Sequence, residues 1–174
     1  LRHATDQFDG TLLYQLYLVA EITAEKNAVF LPDVTVFYRT GGTPDFGNSA
    51  SEQGKFKPQS QTPESSLHFV KGMLDIARHI EQDRELPVYR PILRDIANYS
   101  YPLLSIQAHQ KFRVFLDYGW KLASMGFGRY PLFWIYWFAI LLFGAGRTDR
   151  LIGWIKRRMG HTPSLGGVYQ GAGR

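Results

Sequence analysis

Hydrophobic residues recur at helical spacing near the start of the chain. Leu12, Leu16, Val19 and Ile22 follow one another at intervals of three or four residues. Residues at this spacing share one face of an α-helix, so the pattern predicts an amphipathic helix over 11–26.

The pattern changes after this helix. Residues 28–39 (AVFLPDVTVFYR) are rich in β-branched and aromatic side chains and are interrupted by Pro32, which predicts a short strand or hairpin at a sheet edge. Residues 40–62 consist mainly of Gly, Pro, Ser, Thr, Asn and Gln. A connection of this length is typical of a functional or disordered segment, and we expect a binding loop or lid there.

Helical periodicity returns at the end of this loop. Thr62 can cap a helix that has Pro63 in its first turn, and we expect this helix to run to about Gln82. Its apolar positions are Leu67, Val70, Met73, Leu74, Ala77 and Ile80. Two further helices are predicted over 88–98 and 103–122.

The last third of the chain contains an apolar block. Residues 131–146 (PLFWIYWFAILLFGAG) carry no charge. As a helix they would extend about 24 Å, less than the ~30 Å hydrocarbon core of a bilayer. We therefore expect a segment that lies in or dips into one leaflet; a full span and a buried core helix remain the alternatives.

Charge separates this region from the rest of the chain. The net charge of +5 lies entirely in residues 147–174, which hold six Lys and Arg against one Asp. Because an uninterrupted apolar block precedes this basic segment, we expect a membrane surface as its partner and no nucleic acid. The residues expected at the membrane are Phe133, Trp134, Trp137, Phe138, Trp154, Lys156, Arg157 and Arg158.

Composition excludes several kinds of site. The chain has no Cys, so it has no disulfide, Cys-based zinc site or thiol nucleophile. Its five His are too scattered to predict a metal site from spacing. The motifs H-E-x-x-H, Walker A, G-x-G-x-x-G and G-x-S-x-G are all absent from the sequence.

A family resemblance lies in the first 60 or so residues. The run Asp6-Gln7-Phe8-Asp9-Gly10 leads into the first helix, and Phe30-Leu31-Pro32-Asp33-Val34 and Tyr38-Arg39 follow it. This order resembles the end of the catalytic domain in family-2 glycosyltransferases of the GT-A fold. The resemblance implies a mainly α chain with a small β element, the C-terminal portion of an α/β GT-A enzyme followed by a helical membrane-associated region.

The implied organisation has four parts. Residues 1–62 would end the catalytic domain with an acceptor-side loop, and 63–122 would form a helical region. Membrane-associating helices would follow over 123–160, with a flexible tail over 161–174.

The resemblance also implies an activity. The full-length protein would transfer a sugar from a nucleotide-sugar to a polysaccharide or lipid-linked acceptor at the cytoplasmic face of the membrane, with a carboxylate as general base. Asp9 matches the base position best and Asp6 is the second choice, although Asp9 could also cap the helix. The residues that would line the acceptor or diphosphate side are Gln15, Arg39, Thr40, Gly41 and Gly42.

Part of the family pattern is missing. The acidic D-x-D and the nucleotide-binding half are absent, so the divalent metal (Mg or Mn) that the resemblance implies would have its ligands outside this chain, which we expect to be inactive alone. For such a fragment, Leu12, Leu16 and Val19 should be exposed. The alternative is a non-enzymatic, membrane-attached helical interaction module that docks a partner on the face running from Leu67 to Ile80.

Overall fold

Helices make up most of the described structure. The computed structural model describes residues 5–9, 13–26 and 62–158, with only the backbone of Lys156. The elements are α1 (Tyr14–Glu25), α2 (Pro63–Arg84), α3 (Tyr89–Asn98), α4 (Tyr101–Ala108), α5 (Phe112–Ser124), a 3-10 turn (Phe127–Arg129), α6 (Pro131–Phe143) and α7 (Ala145–Arg158).

The expected fold class is wrong for these residues. Helices account for 82% of them and none forms a strand, so the described structure is all helical and not an α/β GT-A fold. Helix α1 buries Tyr17 and Glu21 and packs against α2, so its inward face is covered by another helix. The strand predicted over 28–39, the loop over 40–61 and the tail over 161–174 lie outside the described residues.

Helix α2 begins as the sequence predicts. The Thr62 hydroxyl accepts a hydrogen bond from the Ser65 backbone N–H at 3.1 Å, and Pro63 occupies the first turn. The helix ends at Arg84, where Glu85 adopts a left-handed conformation with φ of 54°. The predicted cap at Thr62 is confirmed.

The helix predicted over 103–122 is wrong as a single element. The chain leaves α4 at Ala108 and enters α5 at Phe112, with Lys111 extended between them. The break lets α4 pack against both α5 and α6. A long-range packing requirement of this kind leaves little trace in local periodicity, because apolar residues occur on both sides of the break.

Two groups of buried side chains hold the helices together. The larger group joins α2 to α6 and includes Leu74, Leu93, Leu104, Tyr118, Leu122, Phe127, Phe133 and Trp137. The smaller group fixes α1 and the preceding turn onto α2 and consists of Phe8, Leu13, Tyr17, Ile76 and Ile80. The smaller group therefore decides where the Asp6–Asp9 turn lies.

Helix α1 leaves an apolar stripe uncovered. Leu16, Val19 and Ile22 are 42–54% exposed, whereas Tyr17 and Glu21 on the other side of the helix are buried. The expected exposure of Leu16 and Val19 is confirmed, and Leu12 lies outside the described residues.

Candidate functional site

The Asp6–Asp9 turn is anchored by one aromatic ring. Phe8 is buried, and its ring centroid lies 4.8 Å from that of Tyr17 and 5.3 Å from that of His79. The Asp9 backbone N–H donates a hydrogen bond of 2.9 Å to the Asp6 carbonyl and closes the turn. Asp6 and Asp9 themselves are exposed. The buried ring thus fixes a turn in which both Asp residues are exposed.

The structure separates Asp9 from the start of α1. The helix begins at Tyr14, and its N-cap residue is Leu13. Asp9 therefore does not hold the N-cap position of α1, which the capping interpretation required. Gln15 is exposed in the first turn of the same helix.

The remaining substrate residues expected from the sequence are not described. Arg39, Thr40, Gly41 and Gly42 lie outside the described residues. The described part of the candidate site therefore consists of the turn and its surroundings.

A polar cleft lies between this turn and α2. The cavity has a volume of about 530 Å³. Gln7 and Phe8 line it from the turn, and seven residues of α2 line it from below: His68, Lys71, Gly72, Asp75, Arg78, His79 and Gln82. These α2 positions recur every three or four residues along one helical face. Sequence reasoning followed the apolar stripe of α2 and missed this polar one, although its spacing is equally regular.

Charged groups in the cleft are paired with one another. The Asp75 carboxylate contacts Lys71 Nζ at 2.5 Å and Arg78 Nη1 at 3.2 Å. The Arg78 guanidinium also donates to the Tyr89 hydroxyl at 2.9 Å and lies 4.7 Å above the Tyr89 ring. Arg78 is thus held in place from two sides, and the cleft carries both signs of charge.

A buried carboxylate lies behind the cleft. Glu21 is only 4% exposed, and Arg84 donates to its Oε2 through Nη2 at 2.5 Å and Nε at 3.2 Å. Arg84 also contacts Glu25 at 2.7 Å and Asp83 at 3.1 Å. The hydrogen bonds to Glu21 raise the pKa of the Arg84 guanidinium. This network ties α1 to the C-terminal end of α2.

The same region contains a possible metal-ligand group. Glu21, His79 and Asp83 each offer a ligand atom, and these atoms lie within 4.8 Å of one another. The Arg84 guanidinium already contacts the carboxylates of Glu21 and Asp83, and Glu21 is too buried for a diphosphate to reach it. These residues therefore do not fit the donor-binding metal that the resemblance implies.

An apolar surface covers one side of α6. Leu132, Ile135, Phe138 and Leu142 are 39–72% exposed and follow helical spacing, whereas Ile140 is buried on the opposite side. Since α6 is apolar all around, its periodicity could not show which side faces the core. The four exposed residues define the α6 outer face.

Aromatic residues extend this face onto α5. The Trp120 ring centroid lies 5.9 Å from that of Trp134, which lies 6.0 Å from that of Phe138. Trp120 is exposed, although its neighbours Tyr118, Gly119 and Leu122 on the same helix are buried. The rings form a continuous aromatic edge beside the α6 outer face.

Helix α7 adds both apolar and basic groups. Leu151, Trp154 and Ile155 are exposed, and the Arg158 guanidinium lies 5.4 Å above the Trp154 ring. The exposed basic residues of this helix are Arg147, Arg150, Arg157 and Arg158. Apolar and cationic side chains thus share the surface of α7.

Polar contacts fix α7 to the bundle. The Asp149 carboxylate accepts hydrogen bonds from the hydroxyls of Tyr101 and, at 2.8 Å, Ser105. Burial, together with the Asp149 carboxylate, raises the pKa of Tyr101. The buried Thr148 hydroxyl donates to the Ala139 carbonyl at 3.2 Å.

The residues expected at the membrane occupy different environments. Phe138, Trp154, Arg157 and Arg158 are exposed, and Trp134 is half-buried. Phe133 and Trp137 lie in the core, where they pack against the other helices. The prediction that these two residues face the membrane is therefore wrong. The side chain of Lys156 lies outside the described structure.

None of the described helices has the length and apolar character needed to cross a membrane. No protein-family model, curated protein or solved structure matches the chain.

Proposed function

We propose that this chain is the membrane-docking part of an enzyme that transfers a sugar from a nucleotide-sugar to a polysaccharide or lipid-linked acceptor at the cytoplasmic face of a membrane. The observation that carries the proposal is the α6 outer face beside the basic helix α7. Large exposed apolar surfaces of this kind are typical of interaction sites.

The combination of groups favours a lipid surface as the partner. Aromatic side chains at Trp120 and Phe138 suit the interface between headgroups and acyl chains. Each of the exposed Arg side chains of α7 adds about 1 kcal/mol when it lies near anionic lipid. Helix α6 has 13 residues and a length of about 20 Å, so it can lie along the surface with its outer face immersed.

The sugar-transfer part of the proposal rests on the sequence resemblance and on Asp9. A general base must lie within hydrogen-bond reach of the acceptor hydroxyl, and this requires an accessible carboxylate. The exposed Asp9, on a turn that borders a polar cleft, meets this requirement. Residues outside this chain would hold the nucleotide and its Mg or Mn ion.

The α2 face that the non-enzymatic alternative needs for docking is largely buried. Val70, Leu74, Ala77 and Ile80 of α2 are buried against the chain's own helices. A partner could not reach this face without unfolding the core, so α2 does not offer this docking surface in the folded chain.

Vesicle flotation tests the membrane half of the proposal. The chain should float with vesicles of phosphatidylcholine and phosphatidylglycerol, and binding should weaken with phosphatidylcholine alone or at higher salt. The double variant Ile135→Glu, Leu142→Glu should bind at least about tenfold more weakly, since a fully buried apolar side chain contributes about 1.5–3 kcal/mol.

A matched control tests whether vesicle binding depends on the α6 outer face in particular or on exposed apolar residues in general. Leu16→Glu with Ile22→Glu changes two apolar residues on α1 that are also exposed, at 42% and 47%, and should leave vesicle binding unchanged. Equal binding by the α6 variant and the unchanged chain would refute the docking surface, as would equal losses in the two double variants.

The transferase half requires the full-length protein with membranes and a panel of nucleotide-sugars. Asp9→Asn should abolish transfer while donor binding and vesicle flotation persist, because only the proton-accepting carboxylate is lost. A full-length protein with no turnover toward any donor would overturn this half.

A further inference from the structure

We infer that the cleft between the Asp6–Asp9 turn and α2 binds the saccharide of the acceptor, an inference that rests on the proposed function. The cavity of about 530 Å³ lies within the ~300–1,000 Å³ range of small-ligand pockets. Its walls come from two distant parts of the chain, Gln7 and Phe8 from the turn and the polar face from α2.

The hydrogen-bonding groups of the cleft match sugar hydroxyls. Gln7 and Gln82 carry amides that both donate and accept, and Asp75 accepts while Lys71 and Arg78 donate. A sugar hydroxyl also donates and accepts, so a mixed set of groups can satisfy several neighbouring hydroxyls at once. A purely apolar or purely cationic pocket could not do this.

The charge arrangement argues against a phosphate in the same place. Asp75 lies between Lys71 and Arg78, at 2.5 and 3.2 Å, so a carboxylate stands between the two cations and offsets one of their two positive charges. A diphosphate would meet this carboxylate as a like charge. The cleft therefore suits uncharged sugar rings of the acceptor better than the diphosphate of the donor.

The geometry also gives the cleft a definite shape before a ligand arrives. Arg78 is fixed by Asp75 and by the Tyr89 hydroxyl at 2.9 Å, so its guanidinium loses little freedom on binding. Gln7 and Phe8 line the cleft from the turn, and the candidate base Asp9 follows Phe8 directly in the chain. A saccharide bound in the cleft would thus contact the two residues that precede the candidate base in the turn.

Amide NMR titrations of the whole chain in detergent test this site with defined probes. Glucose, galactose, mannose and N-acetylglucosamine serve as neutral sugars, and pyrophosphate serves as the anion. At least one sugar should shift the amide signals of the α2 residues that line the cleft, and pyrophosphate should shift them less. No shift with any of the four sugars, or a larger shift with pyrophosphate, would overturn the inference.

Substitutions at Asp75 and Gln82 sharpen the test. Asp75→Ala together with Gln82→Ala should weaken sugar binding about tenfold, since hydrogen bonds to charged groups contribute about 1.5–3 kcal/mol. Asp75→Ala alone should strengthen pyrophosphate binding, because it removes the like charge. Asp117→Ala, which breaks a pair of the same spacing with Lys121 at 2.7 Å on α5, should change neither. If Asp117→Ala changed sugar and pyrophosphate binding as much as the variants at Asp75 and Gln82, the assignment of the cleft as the saccharide site would be contradicted.

The full-length protein distinguishes failure of the cleft from failure of the proposed function. The variants at Asp75 and Gln82 should raise the KM for the acceptor and leave donor binding unchanged. If these variants leave sugar transfer unchanged, the cleft is not the acceptor site, and the proposed transferase activity is unaffected. Sugar binding in the cleft without transfer by the full-length protein would refute the transferase instead.

Discussion

Gly119 offers a sharp test of how α5 packs against α6. It is a buried helical residue, and a Cβ atom added there would lie 2.2 Å from Trp137 Nε1 and 2.7 Å from Trp137 Cδ1. Both distances are far below van der Waals contact. Gly119→Ala therefore requires the indole ring or one of the helices to move.

Two effects of opposite sign decide the outcome. Alanine in a helix interior is more favourable than glycine by about 1 kcal/mol. Overpacking of a well-packed core costs about 1–3 kcal/mol or more. Trp137 is nearly buried and contacts the rings of Phe115 at 6.2 Å and Phe138 at 5.1 Å, so it cannot swing aside freely. We expect a net loss of about 1–2 kcal/mol in the free energy of unfolding.

Urea unfolding followed by tryptophan fluorescence measures this loss. Gly153→Ala is the matched control, because a Cβ at that position of α7 meets nothing within 4 Å, and this variant should be unchanged or more stable by up to about 1 kcal/mol. Trp137→Phe in the Gly119→Ala background replaces the indole by a smaller ring that can shift away from the added methyl group, and it should recover part of the loss. Unchanged or higher stability of Gly119→Ala would refute this account of the interface.

Two further predictions concern buried polar groups. Burial raises the pKa of Tyr118 from 10.0 to about 12, against the lowering effect of a hydrogen bond with Ser66. The unfolded chain loses this proton first, so stability should fall by about 2–3 kcal/mol as the pH rises from about 10 to about 12. Urea midpoints across this range should fall less steeply for Tyr118→Phe, and equal slopes would contradict the assignment. Arg84→Met should destabilise the chain more than Arg78→Met, because it leaves the buried Glu21 carboxylate without its counter-charge, whereas Arg78 belongs to an exposed pair. Adding Glu21→Met to Arg84→Met should restore part of the unfolding midpoint, and equal losses in the two single variants would disprove the distinction.

Local signals in the sequence predict several helix boundaries correctly. Thr62 and Pro63 mark the start of α2, and the 88–98 pattern corresponds closely to α3 at Tyr89–Asn98. These signals succeed because capping and helix propensity depend on neighbouring residues. The break at 109–111 was missed because it serves the packing of α4 against two other helices.

The candidate site also has one part that local sequence indicates and one part that depends on tertiary packing. Asp9 could be singled out from its short surrounding motif, although the sequence left its role open. The cleft could not be predicted, since Gln7 and His68 are far apart in the chain and meet only because Phe8 and Tyr17 dock on α2. No pattern within either segment contains this pairing.

Local patterns of residues specify the helical character of the described elements, the cap at Thr62 and the apolar and basic content of the C-terminal region. Which side of α6 is buried depends on how the helices pack together. Because α6 is apolar on every side, the local pattern has no contrast to favour one face. Packing against α3, α4, α5 and the 3-10 turn covers Phe133 and Trp137 and leaves Ile135 and Leu142 outside, as the close-packed core has room for only one face.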